Sequence, residues 1–478
     1  MPASVGLSPS SLPGALDTMP SLMREALKGP SGEHLDATTL AKLAAAQKAK
    51  IGAQKMPEPS IVPADIDVQV LGLGVAYPPD NMYPDQFDEL TARLVEPTPA
   101  IQKMLAINRK TGIEKRSILY NAEHEFHSGK APTIDLISDA FRKHAVPLAG
   151  QAARKALADA NVDASELTHV VCCTVTDSSN PGFDVDLVNH LGLADAGIER
   201  YLLAGVGCAG GLATIRTATN VILAAKAVGR PATVLVVATE VVSPFATMEL
   251  ERAQKSGEVN VAATLFSDCA SALVMSYAGG RSASALSSPA SSASSLEELA
   301  EEKKLPKEEG VYSLYAYSNW TLPDTHSLLR YNVNSHGWNV VLSPKLPALT
   351  SGALEPALRK LLVAAKLTHL NPAEFDWAVH PGGAAILKAC GEKMGLADDD
   401  QLRASWGVYT KHGNSSSATI FSVLEALRAG KHAADVLGAG EVPKAESAKP
   451  REWVAAVAFG PGVTLEMAIL KRRNLERN

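Results

Sequence analysis

The sequence predicts an α/β protein of layered sheets and helices, built as two similar halves. Two observations carry that prediction. Strand-length apolar runs alternate with amphipathic helical runs in two successive blocks, and the junctions between them are rich in Gly, Ser and Pro. A long polar segment separates the blocks, and two similar halves would place their junction loops along a shared seam.

Residues 1–64 contain no aromatic residue and are rich in Ser, Pro, Ala and Lys. A weak helical pattern crosses "LDATTLAKLAAAQKAK", but the segment reads as a flexible N-terminal extension. The N-terminal half, 65–278, opens near "ADIDVQVLGLGVAYPP", a strand closed by Tyr-Pro-Pro. "LTHVVCCTVTD" is a strand before the helical "FDVDLVNHLGL", with Cys172 and Cys173 filling core. "RYLLAGVGCAGG" leads into the helix "LATIRTATNVILAAKAVG", followed by the strand "ATVLVVATEVV" and then "AATLFSDCASALVMSYA". Residues 279–310 are small and polar, then charged, and read as an inserted surface loop. In the C-terminal half, 311–478, "FDWAVHP" precedes the helix "GGAAILKACGEKMG". "KHGNSSSATIFSVLEALRAG" is a loop running into a helix, and "EWVAAVAFGPGVTLEMAIL" is strand, sharp turn, strand.

A chain of 478 residues can bury one large core or two coupled ones, and 46% apolar with 20% charged residues is ordinary for a soluble protein. The formal net charge of −6 lacks the clustered basic signature of nucleic-acid binding. Five cysteines without zinc-like spacing point to a reducing compartment. The N-terminus lacks a secretory pattern, and no apolar stretch approaches the roughly 20 residues that span a bilayer. The expectation is a cytoplasmic protein.

Three residues carry candidate chemistry. Cys208, in "GVGCAGG", stands where a glycine-rich turn becomes a helix. Unpaired N–H groups and the helix dipole there lower a thiol's pKa, although a buried cysteine that merely fills core is an equal reading. His380 ends the apolar run "FDWAV", where open α/β sheets present reactive groups, or is an ordinary loop histidine. Asn414, in "HGNSSSAT", is a helix cap or a catalytic amide. All three occupy junctions, in the order Cys, His, Asn, and such a set can supply a nucleophile, a base and an oxyanion site.

"GVGCAGG", "WAVHPGG", "GNSSSAT" and "AFGPGVT" together resemble the type III polyketide synthases, the chalcone synthase-like branch of the thiolase superfamily. The resemblance runs from about residue 65 to 470 outside the insertion. It implies a thiolase-like layered αβαβα fold and a catalytic triad of Cys208, His380 and Asn414. It makes Phe266, in "LFSDCA", a gatekeeper, although Ser267 and Cys269 replace the usual glycines. It places Val340 on the cavity wall, where many relatives carry Phe, and Phe459, Gly460 and Pro461 on the cavity floor. Lys103, Lys110, Gly382 and Ala385 fall on coenzyme A-binding positions. A third basic position is Ala106 here, so phosphate binding would be weaker or shared with Arg109. Two lysines seven residues apart would lie on one helical face.

The implied reaction is iterative decarboxylative condensation of malonyl-CoA onto an acyl-CoA starter held as a Cys208 thioester, then cyclisation. The resemblance also implies a homodimer, with no cofactor and no metal. The extension and insertion resemble fungal members, for which long-chain acyl starters giving pyrones or resorcinols are common. A single-round ketoacyl synthase shares the triad, but "FGPG" favours the polyketide branch. Thiolases need a second C-terminal cysteine motif that is absent, and HMG-CoA synthase needs a glutamate upstream of the cysteine. An inactive scaffold sits poorly with an intact triad.

Overall fold

The computed structural model describes residues 56–281, 310–334, 337–428, 431–438 and 450–473. Most of the expected extension and of the insertion therefore lies outside the described residues.

In chain order, the first half contains β1 (Ser60–Ile61), β2 (Val68–Ala76), β3 (Asp80–Met82), α1 (Pro84–Leu94), α2 (Pro99–Asn108) and β4 (Arg116–Ile118). It continues through α3 (Val146–Ala160), β5 (His169–Cys173), β6 (Glu199–Leu203), α4 (Gly210–Ala227), β7 (Thr233–Glu240), α5 (Ala246–Ser256) and β8 (Cys269–Tyr277). The second half contains β9 (Tyr312–Thr321), the hairpin β10 (Leu329–Asn334) and β11 (Gly337–Leu342), and α6 (Leu346–Ala364). Then follow β12 (Phe375–Val379), α7 (Ala384–Met394), α8 (Thr419–Ala426), β13 (Trp453–Gly460) and β14 (Thr464–Arg472).

The sheet order is β12-β13-β14-β9-β2-β8-β7-β5-β6. Outward from the centre of the sheet, each half repeats one pattern. The first long strand of the half (β2, β9) pairs antiparallel with its last (β8, β14). That last strand pairs antiparallel with the one before it (β7, β13), which runs parallel to β5 or β12. The halves meet where β2 pairs antiparallel with β9 through Gln69–Ser313 and Val70–Tyr312.

Helices cover both faces of each half-sheet, which is why the strands are continuous apolar runs rather than alternating ones. All eight residues of β7 are buried. On the outside of the first half, the alanine stripe of α3 (Ala149, Ala152, Ala153, Ala156) packs on Val170, Leu235 and Val274. On the outside of the second, Leu354, Leu358 and Leu361 of α6 share a core with Trp377, Val457 and Ile469. Between the half-sheets lie α4 and α8, with Leu212, Ile215 and Ile222 of one packed with Ile420, Phe421 and Leu424 of the other. Each fully buried Leu or Phe there contributes about 1.5–3 kcal/mol. The result is the αβαβα layering that the motifs imply.

The start of the fold differs from the sequence reading, which placed it near residue 65. Ser60 and Ile61 already pair with Tyr317 and Ala316, and Val62 is buried. The Met56 carbonyl accepts a hydrogen bond from Lys360 at 2.7 Å. Two strand residues among prolines are too short a run to register as a strand.

Candidate active site

α4 begins in a single tight turn, Gly207–Ala209, with Cys208 at its centre. Backbone contacts fix this turn. Gly207 has φ of +52°, and a Cβ added there would lie 2.4 Å from Pro461 Cδ. A Cβ on Gly460 would lie 2.4 Å from the Val206 carbonyl and 2.8 Å from Ala209 Cβ. The "AFGPG" turn is thus pressed directly against the turn that carries the cysteine, and only glycine allows the approach.

His380 directly follows β12, and its backbone N–H donates to the Val457 carbonyl at 2.8 Å. The side chain is buried, and neither ring nitrogen has a hydrogen-bond partner among the described residues. Burial alone pushes the imidazole down to about 3, which favours the neutral ring with one donor and one acceptor nitrogen. Asn414 is oriented by the turn after it, because the Ser416 N–H donates to Oδ1 at 2.8 Å. That bond can only be made to the carbonyl oxygen, so Nδ2 is the free end. One of its hydrogens goes to the Gly382 carbonyl at 3.3 Å.

One cavity brings these groups together: Cys208, His380 and Asn414 line it, with Phe266, Val340, Phe459, Pro461 and Gly382. Gly460 is not on its surface and lies against the Cys208 turn from beneath. Cys208 donates a thiol hydrogen bond to Ser416 Oγ at 3.5 Å. Burial pushes the thiol up to about 12, against a smaller lowering by Ser416, a direction opposite to the lowering expected at a helix start. Burial thus favours the neutral form of both the thiol and the imidazole.

Phe266 is tied to the triad through the backbone. The Ser267 N–H donates to the Asn414 carbonyl at 3.0 Å, and the Asn414 N–H donates to the Leu265 carbonyl at 2.9 Å. Phe266 packs with Val340 and Ala262, touching Cys208, Tyr331 and Leu342. Val340 sits opposite Tyr331 in the β10–β11 hairpin. Behind this group lies a second chamber that shares Phe266, Tyr331 and Val340 with the first.

The sequence profile "Chalcone and stilbene synthases, N-terminal domain" matches residues 62–278, and the corresponding C-terminal domain profile matches 314–473. The chain belongs to the chalcone and stilbene synthase family. It is similar to a type III polyketide synthase of Penicillium soppii, 33% identical over 430 residues, covering 86% of this chain and 97% of that one. It is also similar to an acylalkylpyrone synthase of Aspergillus oryzae, 32% identical over 412 residues, covering 85% and 94%. Among solved structures, the fungal type III polyketide synthase ORAS superposes with a TM-score of 0.75 at 40% identity, covering 85% of this chain and all of its own. CsyB complexed with CoA-SH superposes with a TM-score of 0.73 at 31% identity and the same coverage. This chain is a type III polyketide synthase of the fungal type, with the thiolase-like fold.

Within the synthase, the two departures from the gatekeeper motif are filled from the second half. Ser267 Oγ lies 2.8 Å from Ser415 Oγ, and Cys269 Sγ lies 3.8 Å from Ser422 Oγ. The expected lysine pair needs correction. Lys103 is half-buried on α2, but α2 ends at Asn108 and exposed Lys110 lies beyond it, so the two do not share a helical face. Arg109 is paired with Asp88 at 2.6 Å rather than held for a phosphate. Ala385 is half-exposed in the first turn of α7, whose N-terminus adjoins Gly382.

Sequence reasoning missed Ser416 and Glu240. Glu240 ends β7, fully buried, and accepts from the Val175 N–H at 3.0 Å, from Thr174 and Thr176 hydroxyls at 3.3 Å, and from Ser417. Burial raises its carboxyl to about 7. The available signal was one charge closing an otherwise uncharged strand, "TVLVVATE".

Proposed function

We propose that the synthase loads an acyl group from acyl-CoA onto Cys208 and extends it with malonyl-CoA at the same cavity. The observation that carries this reading is the convergence on one cavity of the Cys208 thiol, the Asn414 amide and the His380 imidazole, which has no hydrogen-bond partner among the described residues.

His380 takes the Cys208 proton as sulfur attacks the starter thioester. The acyl–S bond to coenzyme A breaks, and the departing thiolate recovers the proton. The neutral starting pair makes this transfer part of the loading step rather than a standing ion pair. Malonyl-CoA then binds with its thioester oxygen toward His380 and Asn414 Nδ2. As carbon dioxide leaves, these two donors stabilise the enolate. The enolate carbon attacks the Cys208 thioester and expels the thiolate, and the lengthened chain returns to Cys208 for another round. These steps draw nucleophile, base and oxyanion donors from the protein and call on no resident cofactor or metal.

Coenzyme A enters past Gly382 and the N-terminus of α7 near Ala385, with Lys103 on α2 and Lys110 in the turn beyond it as separate phosphate ligands. Phe266 and Val340 divide starter space from extension space, while Phe459 and Pro461 bound the floor. The Aspergillus oryzae relative is named an acylalkylpyrone synthase, and we propose a pyrone as the product class here, from an extended acyl starter. A homodimer is supported by β6, an edge strand with Tyr201 and Leu202 exposed. Cytoplasmic location is supported by five unpaired cysteines. No helix among the described residues is long and apolar enough to cross a membrane.

Incubation with labelled malonyl-CoA and acyl-CoA thioesters of graded length, read by mass spectrometry, tests the proposal. Products extended by two or more malonyl units and cyclised are expected. A single β-ketoacyl product from every starter would replace iteration with one-round condensation.

A further inference from the structure

The second chamber, behind Phe266 and Val340, has mostly apolar walls that include Met82, Phe87, Ile118 and Phe245. Several polar side chains also reach it, and they spend their hydrogen bonds on the protein. Arg116 donates to the carbonyls of Ala263 at 2.6 Å and Phe266 at 3.2 Å. The Tyr120 hydroxyl donates to the Ala140 carbonyl at 3.2 Å, and His127 Nδ1 meets Thr247 Oγ1 at 2.9 Å. The Ser243 hydroxyl donates to Asp268.

Glu249, on α5, behaves differently. It lines the chamber and is 4% exposed. Its Oε2 accepts from Arg252 at 3.0 Å, but Oε1 is buried without any partner among the described residues. A buried carboxyl oxygen without a donor costs about 1–3 kcal/mol, a penalty that an apolar residue of similar length avoids. A chamber meant only for a hydrocarbon chain gains nothing from that penalty. Burial raises the Glu249 carboxyl to about 7. Near neutral pH it is therefore present both as an acceptor and as a donor, and a hydroxyl group can pair with either form.

We propose that the second chamber receives the distal end of a starter acyl group that carries a hydroxyl, and that Glu249 selects it by hydrogen bonding through Oε1. This rests on the reading above, in which the starter is attached to Cys208 and reaches past Phe266. Two substrate sources share the chemistry: a hydroxylated fatty acyl group and a phenolic acyl group. Arg252 bonds Oε2 through one nitrogen, and its Nε, like Oε1, has no hydrogen-bond partner among the described residues, so Oε1 is the carboxyl oxygen left for a hydroxyl.

The test is a set of matched competitions, each pairing a hydroxylated acyl-CoA with its unsubstituted counterpart. One series uses ω-hydroxyacyl-CoA thioesters of graded length, and the other uses para-hydroxyphenylpropanoyl-CoA against phenylpropanoyl-CoA. In the wild type, kcat/KM should favour the hydroxylated partner by about tenfold or more in one series, and that series names the source. Glu249→Leu should erase the preference by lowering kcat/KM for the hydroxylated starter and raising it for the plain one. If that variant does not fold, Glu249→Met provides the same comparison with a more adaptable side chain. Absence of preference in both wild-type series would overturn the inference, as would a variant that slows both partners alike. Failure of the underlying reading looks different: the wild type would then condense neither partner of any pair with malonyl-CoA.

Discussion

The turn before α4 and the turn before α8 are the same device used for opposite purposes. Each is a single tight turn, Gly207–Ala209 and Ser416–Ala418, running directly into a central helix. Each opens on a residue of positive φ, +52° at Gly207 and +47° at Ser416. Their central residues are Cys208 and Ser417. Cys208 faces the cavity, whereas Ser417 is buried and hydrogen-bonded to Glu240. The difference lies beneath the turns. β13 ends in Gly460, which lets its strand press against the Cys208 turn, while β7 ends in Glu240, which reaches up to hold Ser417. One backbone plan thus places a thiol on the cavity wall in one half and a buried, hydrogen-bonded hydroxyl in the other.

The sharpest test replaces the two central residues separately. Cys208→Ala should lower condensation by about 10⁴-fold or more, since no acyl-enzyme can form. Ser417→Ala should stay within a few-fold and cost about 1 kcal/mol of stability for one lost hydrogen bond. Product formation and urea denaturation of both variants measure this. Equal losses of activity would mean that Ser417 also touches substrate, and the contrast between the turns would fail.

A smaller effect is expected from the second turn's own contribution to chemistry. Asn414→Ala should slow malonyl-CoA decarboxylation by about 100- to 1000-fold, the usual cost of one oxyanion donor. Loading of Cys208 from a starter acyl-CoA should suffer less. Single-turnover acylation alongside carbon dioxide release separates the two steps. Slow loading with normal decarboxylation would reverse the assignment of Asn414.

Gly460→Ala probes the close approach under the first turn. Its Cβ must displace the Val206 carbonyl or Ala209. A shift of about 1 Å at a nucleophile costs on the order of 100-fold in rate. The variant should therefore lose activity while keeping its circular dichroism spectrum. Full activity would mean that the turn tolerates the added methyl and is not set by that contact.

The two turns also mark what the sequence could and could not convey. The strands that position them are legible because burial on both faces writes them as unbroken apolar runs, as in "TVLVVATE" and "WVAAVAFG". The junction residues Cys208, His380 and Asn414 are legible because local glycines and caps surround them. The protonation state of Cys208 is not legible, since it depends on how many distant side chains close over the sulfur. The expected lysine face on α2 failed for a local reason: the helix stops two residues short of Lys110. The second chamber, assembled from α1, β4, α5 and the β10–β11 hairpin, has no linear signature at all.

The smallest effect concerns the support beneath the second turn, and it appears in stability rather than rate. Burial holds the Glu240 carboxyl near 7, above its ordinary value of 4.5, so folding disfavours the charged form. The folded state therefore binds the proton more tightly than the unfolded chain does. Stability attributable to this group is full below the unfolded value, declines as pH rises from about 4.5 to about 7, and stays low above that. Each tenfold difference in proton affinity between the two states is worth about 1.4 kcal/mol, which makes the whole span on the order of 3 kcal/mol. Glu240→Gln keeps an oxygen for the Val175 N–H and an amide for Ser417, but it cannot ionise. Urea denaturation of both proteins between pH 4 and pH 8 should give midpoint curves that differ in slope, with wild type losing stability relative to the variant as pH rises. Glu249, Asp268 and Glu466 are also raised by burial, but they are common to both proteins and cancel in the difference. Parallel curves would mean that the four donors around Glu240 fully offset its desolvation, leaving Ser417 held by an ordinary carboxylate.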